Sequence, residues 1–190
     1  MDASLLPAPA SPVTPPIRRL QEAFVCLVSS TTPSESEEQL TLLKPTVVHS
    51  LKPFRIKHMA AGSHHSLACT EDGRVLAWGR CDDSQMGVAL NNIPRDHFKF
   101  DSAQRPRILN IPTLVPGVDA VFVAAGIDNS MAISEDEEHF GWGFSSEYRT
   151  GLGTEDTVEK PAVARRGDTT GKMVSFVGCG GQFSIVAGPK

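Results

Sequence analysis

No C-x-x-C pair occurs in this chain. Its four cysteines, Cys26, Cys69, Cys81 and Cys179, stand far apart, so neither a zinc cluster nor a dense disulfide framework is indicated and reduced, intracellular thiols are expected. Basic residues are in the minority: 18 Lys and Arg stand against 22 Asp and Glu, for a net charge of -4. That balance argues against a broad basic surface that would hold nucleic acid through its phosphates. No stretch approaches the ~18 apolar residues of a membrane span, and Pro7, Pro9, Pro12, Pro15 and Pro16 interrupt any secretory-type apolar run. No Gly-Lys-Ser/Thr follows the clusters Gly151-x-Gly153 and Gly178-x-Gly180-Gly181, so they do not form a phosphate loop. His49, His58, His97 and His139 are not spaced as metal ligands, and no catalytic triad stands out. These absences point to a soluble intracellular chain that acts by binding, with no cofactor, no metal, no membrane partner and no small-molecule substrate.

What is present is an internal repeat. Ala60-Ala61-Gly62 is followed at Trp78-Gly79, and Ala124-Ala125-Gly126 at Trp142-Gly143, over the same interval of about 17 residues. The columns between agree in chemistry: Ser66-Leu67-Ala68 stands over Ser130-Met131-Ala132, and Thr70-Glu71-Asp72 over Ser134-Glu135-Asp136. A third copy starts at Val177-Gly178-Cys179-Gly180 and continues through Phe183-Ser184-Ile185-Val186.

Residues 1–39 divide from the repeats. Their first 16 positions are rich in Pro and Ala without a hydrophobic period, which predicts a disordered or irregular tail. Ile17, Leu20, Phe24, Leu27 and Val28 fit an amphipathic helix, although Ala23 to Ser29 alone fits a strand. From residue 40 to 190 the chain reads as short β-like runs between turn residues, with repeats starting near 56, 120 and 174. Ile56 to Ala61, Ser66 to Thr70 and Arg74 to Trp78 are predicted strands, and another ends at Ile111 before Pro112. Asn91 to Gln104 is predicted as a loop. Asp72-Gly73 supplies the positive-φ residue of a tight hairpin; Glu137 replaces that glycine in the second copy, so the turn there is either of another type or strained. About four short strands per unit is the content of a propeller blade.

The pattern Ala-Gly-x-x-His-Ser-Leu-Ala at 61–68, Glu-Asp-Gly-Arg-Val at 71–75, Trp78-Gly79 and Gln85-Met86-Gly87 resembles the repeat of the regulator of chromosome condensation family. The stretches Tyr148 to Asp156 and Gly178 to Ser184 look like the last blades of its Ran exchange factors. The resemblance implies an all-β fold, about two to three blades of a seven-bladed β-propeller, and a nuclear exchange factor whose partner is a small GTPase of the Ran type. Seven blades of about 55 residues need roughly twice this length, so the chain resembles the C-terminal part of such a propeller, incomplete and inactive alone. Chromatin contact would then fall to missing segments. The alternative is a propeller-repeat scaffold that binds another protein without exchange activity.

An exchange factor needs exposed contacts rather than a nucleophile, because it works by binding the empty GTPase better than the loaded one. His65 occupies a column filled by Asn129 and Phe183 and is expected to pack at the start of a strand. His64 stands one position earlier, in the turn after Gly62, and the resemblance gives it the role of a nucleotide-release contact, with Ser63 beside it. Asp128 and Gln182 hold the equivalent turn position and are expected on the same rim. Trp78 and Trp142 are expected as packing anchors, and the loop Arg80-Cys81-Asp82-Asp83 is expected elsewhere in the blade, with Cys81 an ordinary thiol.

Overall fold

The computed structural model describes residues 24–25, 46–165 and 171–189. The expected tail and the helix-or-strand segment of residues 17–30 lie outside them, except that β1 (Phe24–Val25) pairs with β2 (Thr46–Val47). Among the described residues the regular structure is strand and short 3-10 turns. The chain is all-β.

The first large sheet begins with β3 (Ile56–Ala61), β4 (His65–Thr70) and β5 (Arg74–Arg80). It continues with β6 (Phe98–Phe100) and the long β7 (Pro106–Asp119), in the order β3-β4-β5-β7-β6. The second sheet, β8 (Phe122–Ala125), β9 (Asn129–Ile133), β10 (His139–Gly143) and β11 (Val158–Val163), follows the chain order. The third is the hairpin β12 (Phe176–Cys179) with β13 (Ser184–Ala187). Every pairing is antiparallel.

Two expectations about the first sheet fail. β7 runs through Pro112 and Pro116, because its ladder to β5 shifts register at two points and leaves room for residues that donate no hydrogen bond. The segment 91–104 is not only loop: Phe98 to Phe100 pairs with the start of β7, and the Arg95 guanidinium lies 4.3 Å over the Phe100 ring.

Period-2 alternation assigns the two faces of each sheet. Leu67, Cys69, Val75 and Ala77 face the second sheet and form one core with Leu109, Val123, Ala132 and Trp142. The intervening Ala68, Leu76 and Trp78 turn the other way, onto Leu51 and Ile56. In the second sheet Ala124, Met131 and Ile133 meet Val174 and Val177 beside the third. Central strands β4 and β9 are therefore buried along their whole length, at about 2 kcal/mol for each large aliphatic side chain. Both tryptophans are packed as anchors, and the Trp142 indole N–H donates at 2.9 Å to the carbonyl of Gln85, in the turn that follows β5.

The hairpin turns show how one backbone is made from different residues. Gly73 has φ +86 and its carbonyl accepts from Ala120 N at 2.7 Å. Glu137 keeps the same left-handed conformation, φ +60, and its carbonyl accepts from Val174 N at 3.0 Å. The second turn is thus of the same kind, strained by a side chain that αL disfavours.

Candidate functional site

The strand-joining turn that carries the predicted site residues is built three times. Gly62 N donates to His65 O, Gly126 N to Asn129 O and Gly180 N to Phe183 O, each at 2.8 Å. Ser63 N donates across to the Gly126 carbonyl at 3.1 Å, fixing the first turn against the second. A Cβ on Gly62 would strike that same carbonyl, so only glycine lets the sheets approach so closely.

Below the turns the sheets are joined by a repeated polar link. His65 Nε2 meets Ser130 Oγ at 2.9 Å, and Ser130 Oγ donates to the Gln85 carbonyl at 2.8 Å. One sheet on, Asn129 Nδ2 lies 3.4 Å from Ser184 Oγ, which donates to the Arg149 carbonyl. His65 is 3% exposed, and burial lowers its pKa to about 4, so the ring is neutral. That is the structural role expected of its column.

Above this layer, on the solvent rim, side chains from two sheets converge. His64 Nδ1 and Arg80 Nη1 both lie 4.0 Å from Asp128 Oδ1. Arg80 also donates through Nε to Asp82 Oδ1 at 2.6 Å and has Nη2 3.5 Å from Asp83 Oδ2, while Arg107 Nη1 stands 3.9 Å from Asp82 Oδ2. Burial opposes the Asp82 charge, yet the Arg80 hydrogen bond and the two guanidiniums hold its carboxyl below the usual range. Burial, with Asp82 and Asp128 beside it, raises Asp83. The rim is therefore a linked charge network with three carboxylates, two guanidiniums and one imidazole. Such a surface can bind and orient a charged partner. Among the described residues no group of three or more His, Cys, Asp or Glu is arranged to hold a metal ion, and no helix is long and apolar enough to cross a membrane.

His64 and Asp128 are thus brought together, with Ser63 beside them. Gln182 occupies the same turn position on the third sheet and is exposed, but among the described residues no hydrogen bond or ion pair joins it to that pair. The loop Arg80-Cys81-Asp82-Asp83 is not elsewhere: Arg80 N donates to the His64 carbonyl at 2.9 Å. The signal for this was available, because in an antiparallel meander the end of the third strand returns to the same side as the turn between the first two. Cys81 in that loop is buried, and desolvation with Asp82 nearby pushes its thiol up to about 12, which makes it inert.

The regulator of chromosome condensation (RCC1) repeat model matches residues 56–85. Protein pim1 of Schizosaccharomyces pombe is 37% identical over 156 residues, an alignment that takes in 81% of this chain and 29% of pim1. The guanine nucleotide exchange factor SRM1 of Saccharomyces cerevisiae is 36% identical over 137 residues, 71% of this chain and 28% of its own length. Among solved structures, Prp20p from S. cerevisiae, described with its binding to Gsp1p and histones, superposes with a TM-score of 0.71 at 33% identity, covering 79% of this chain and 34% of that one. This chain therefore spans about a third of the length of pim1 and of Prp20p.

Proposed function

Because the chain belongs to the regulator of chromosome condensation repeat family, and its three sheets are β-propeller blades, we propose that it supplies C-terminal blades of a nuclear, Ran-type guanine nucleotide exchange factor. Its rim turns, with Ser63, His64, Asp128 and Gln182, bind the small GTPase. The observation that carries this reading is the convergence of His64 and Arg80 of one blade on the Asp128 carboxylate of the next, at the edge of the strand-joining turns. A GTPase holds its nucleotide phosphates with lysine and backbone N–H groups. Carboxylates on a rigid rim offer such cations an alternative partner, and any preference for the empty GTPase weakens nucleotide binding by the same factor. No covalent step is involved.

Since this chain covers about a third of pim1 or Prp20p, the reading assigns it GTPase binding, with full exchange requiring further blades. Binding of a nucleotide-free Ran-type GTPase to the chain, followed by calorimetry, tests it. Asp128→Ala and His64→Ala should each weaken binding about fivefold or more, the loss that marks a contributing interface residue. If the chain does not bind, or both variants bind as tightly as the parent, the reading fails and a scaffold role without GTPase contact takes its place.

A further inference from the structure

The loop that follows Trp142-Gly143 holds the chain's single tyrosine in an unusual state. Tyr148 has φ +56 and follows Glu147 with φ +58; two consecutive non-glycine residues in the left-handed region are costly, most of all for a bulky ring. The first blade needs the same conformation at the equivalent position, Ser84, with φ +60. The requirement comes from the loop, and a glycine would satisfy it without strain. Yet a large aromatic stands there, 56% exposed, and among the described residues it makes no ring-to-ring contact.

The loop that carries the ring is held on several sides. Ser145 and Thr150 are fully buried and bonded to each other at 2.6 Å, and Ser145 Oγ also donates to the Thr154 carbonyl at 2.7 Å. Arg149 is buried under the loop, with Nε donating to Ser146 O at 2.7 Å, Nη1 reaching Gly181 O of the next blade at 3.3 Å, and its guanidinium over the Phe144 ring. The Arg149 carbonyl accepts from Asn129 Nδ2 at 3.0 Å and from Ser184 Oγ, and Gly151 N closes the turn on the Tyr148 carbonyl at 2.9 Å. The loop starts at Phe144, whose N–H donates to the Asp128 carbonyl at 2.9 Å. Tyr148 thus follows exposed Glu147 in a loop whose first residue is bonded to the Asp128 backbone.

We infer that Tyr148 is the aromatic anchor of the GTPase interface, receiving a lysine or arginine side chain whose stem lies on the ring and whose head group is met by Glu147. This rests on the GTPase-binding reading above. An exposed aromatic on a fixed backbone loses little freedom on binding, and the ring face and the neighbouring Glu147 carboxylate both favour a cation. Backbone strain held by an over-determined loop gives no benefit to the unbound fold.

The test compares the full chain with Tyr148→Gly and Tyr148→Phe for thermal midpoint and for affinity to a nucleotide-free Ran-type GTPase. Tyr148→Gly should leave the midpoint unchanged or raise it by a few degrees while weakening binding about thirtyfold, the loss of an aromatic hot spot. Tyr148→Phe keeps the ring and should stay within about threefold of the parent. Unchanged affinity in Tyr148→Gly, or a midpoint that falls together with binding, overturns the inference. If Asp128→Ala weakens binding and Tyr148→Gly does not, only the inference fails; if the parent chain does not bind, both readings fail.

Discussion

The two junctions between consecutive blades share one scaffold and differ in what it carries. In the first, His65, Ser130 and the Gln85 carbonyl form the buried link, and above it His64, Arg80 and Asp128 meet. In the second, Asn129, Ser184 and the Arg149 carbonyl form that link, and the column of Arg80 is filled by Phe144, against which Arg149 packs from below. The far side of the second junction is also more open. Phe176, Phe183 and Ile185 on the third sheet are 47%, 59% and 52% exposed, whereas of their second-sheet counterparts Phe122 is stacked on His58 of the first sheet, and Asn129 and Met131 are buried. Repetition thus keeps a close-packed polar link, made by His65 in one junction and Asn129 in the other, and leaves the rim free to vary.

Three experiments would break or sharpen that comparison. The largest effect is expected at the glycine column. Gly62→Ala sets a Cβ against the Gly126 carbonyl, backbone that cannot swing aside, and should cost about 3 kcal/mol in urea unfolding. Gly180→Ala meets only the far end of the exposed Phe183 ring and should cost less than about 1 kcal/mol. Equal losses would show that the first junction is packed no more tightly than the turn of the third sheet.

Next comes pH. Burial lowers both His65 and His139 from 6.5 to about 4, and His58 shifts in the same direction. The unfolded chain therefore binds more protons between these values, so stability is intact above about pH 6.5 and falls as pH drops toward 4. The limit is roughly 3 kcal/mol for each of the two fully buried rings. His65→Asn, which installs the second junction's residue in the first, should remove about half of that slope. A pH dependence unaltered by this substitution would show that His65 is not the group being titrated.

The smallest effect concerns the two hairpin turns. Glu137→Gly restores the residue that the first copy uses at φ +86 and removes a buried carboxylate oxygen without a partner. It should stabilise the chain by about 1 kcal/mol, and Gly73→Glu should do the reverse. A destabilised Glu137→Gly would mean that the carboxylate is held by something other than the described residues.

Much of this molecule is written in short-range pattern. The spacing of Ala60-Ala61-Gly62 to Trp78-Gly79, the Asp72-Gly73 turn and the alternation through β4 were legible because strand period, turn conformation and packing columns depend on neighbours a few residues apart. So was the separation of buried His65 from rim residue His64. What the local pattern misread were places where pairing partners lie far along the chain: β7 continues past Pro112 because β5 offers a shifted ladder, and Phe98 to Phe100 becomes a strand because β7 is there to pair with.

The sequence by itself determined the all-β repeat, the turns and the column in which each candidate residue stands, since each follows from the conformational preferences of consecutive residues. Only the tertiary structure decided that Arg80 lies between Asp82 and Asp128, that His64 and Asp128 face each other while Gln182 stands apart, and that Tyr148 is displayed under strain. Those facts depend on how one sheet is stacked on the next. Residues about 64 positions apart meet there through blade packing, which no local propensity encodes.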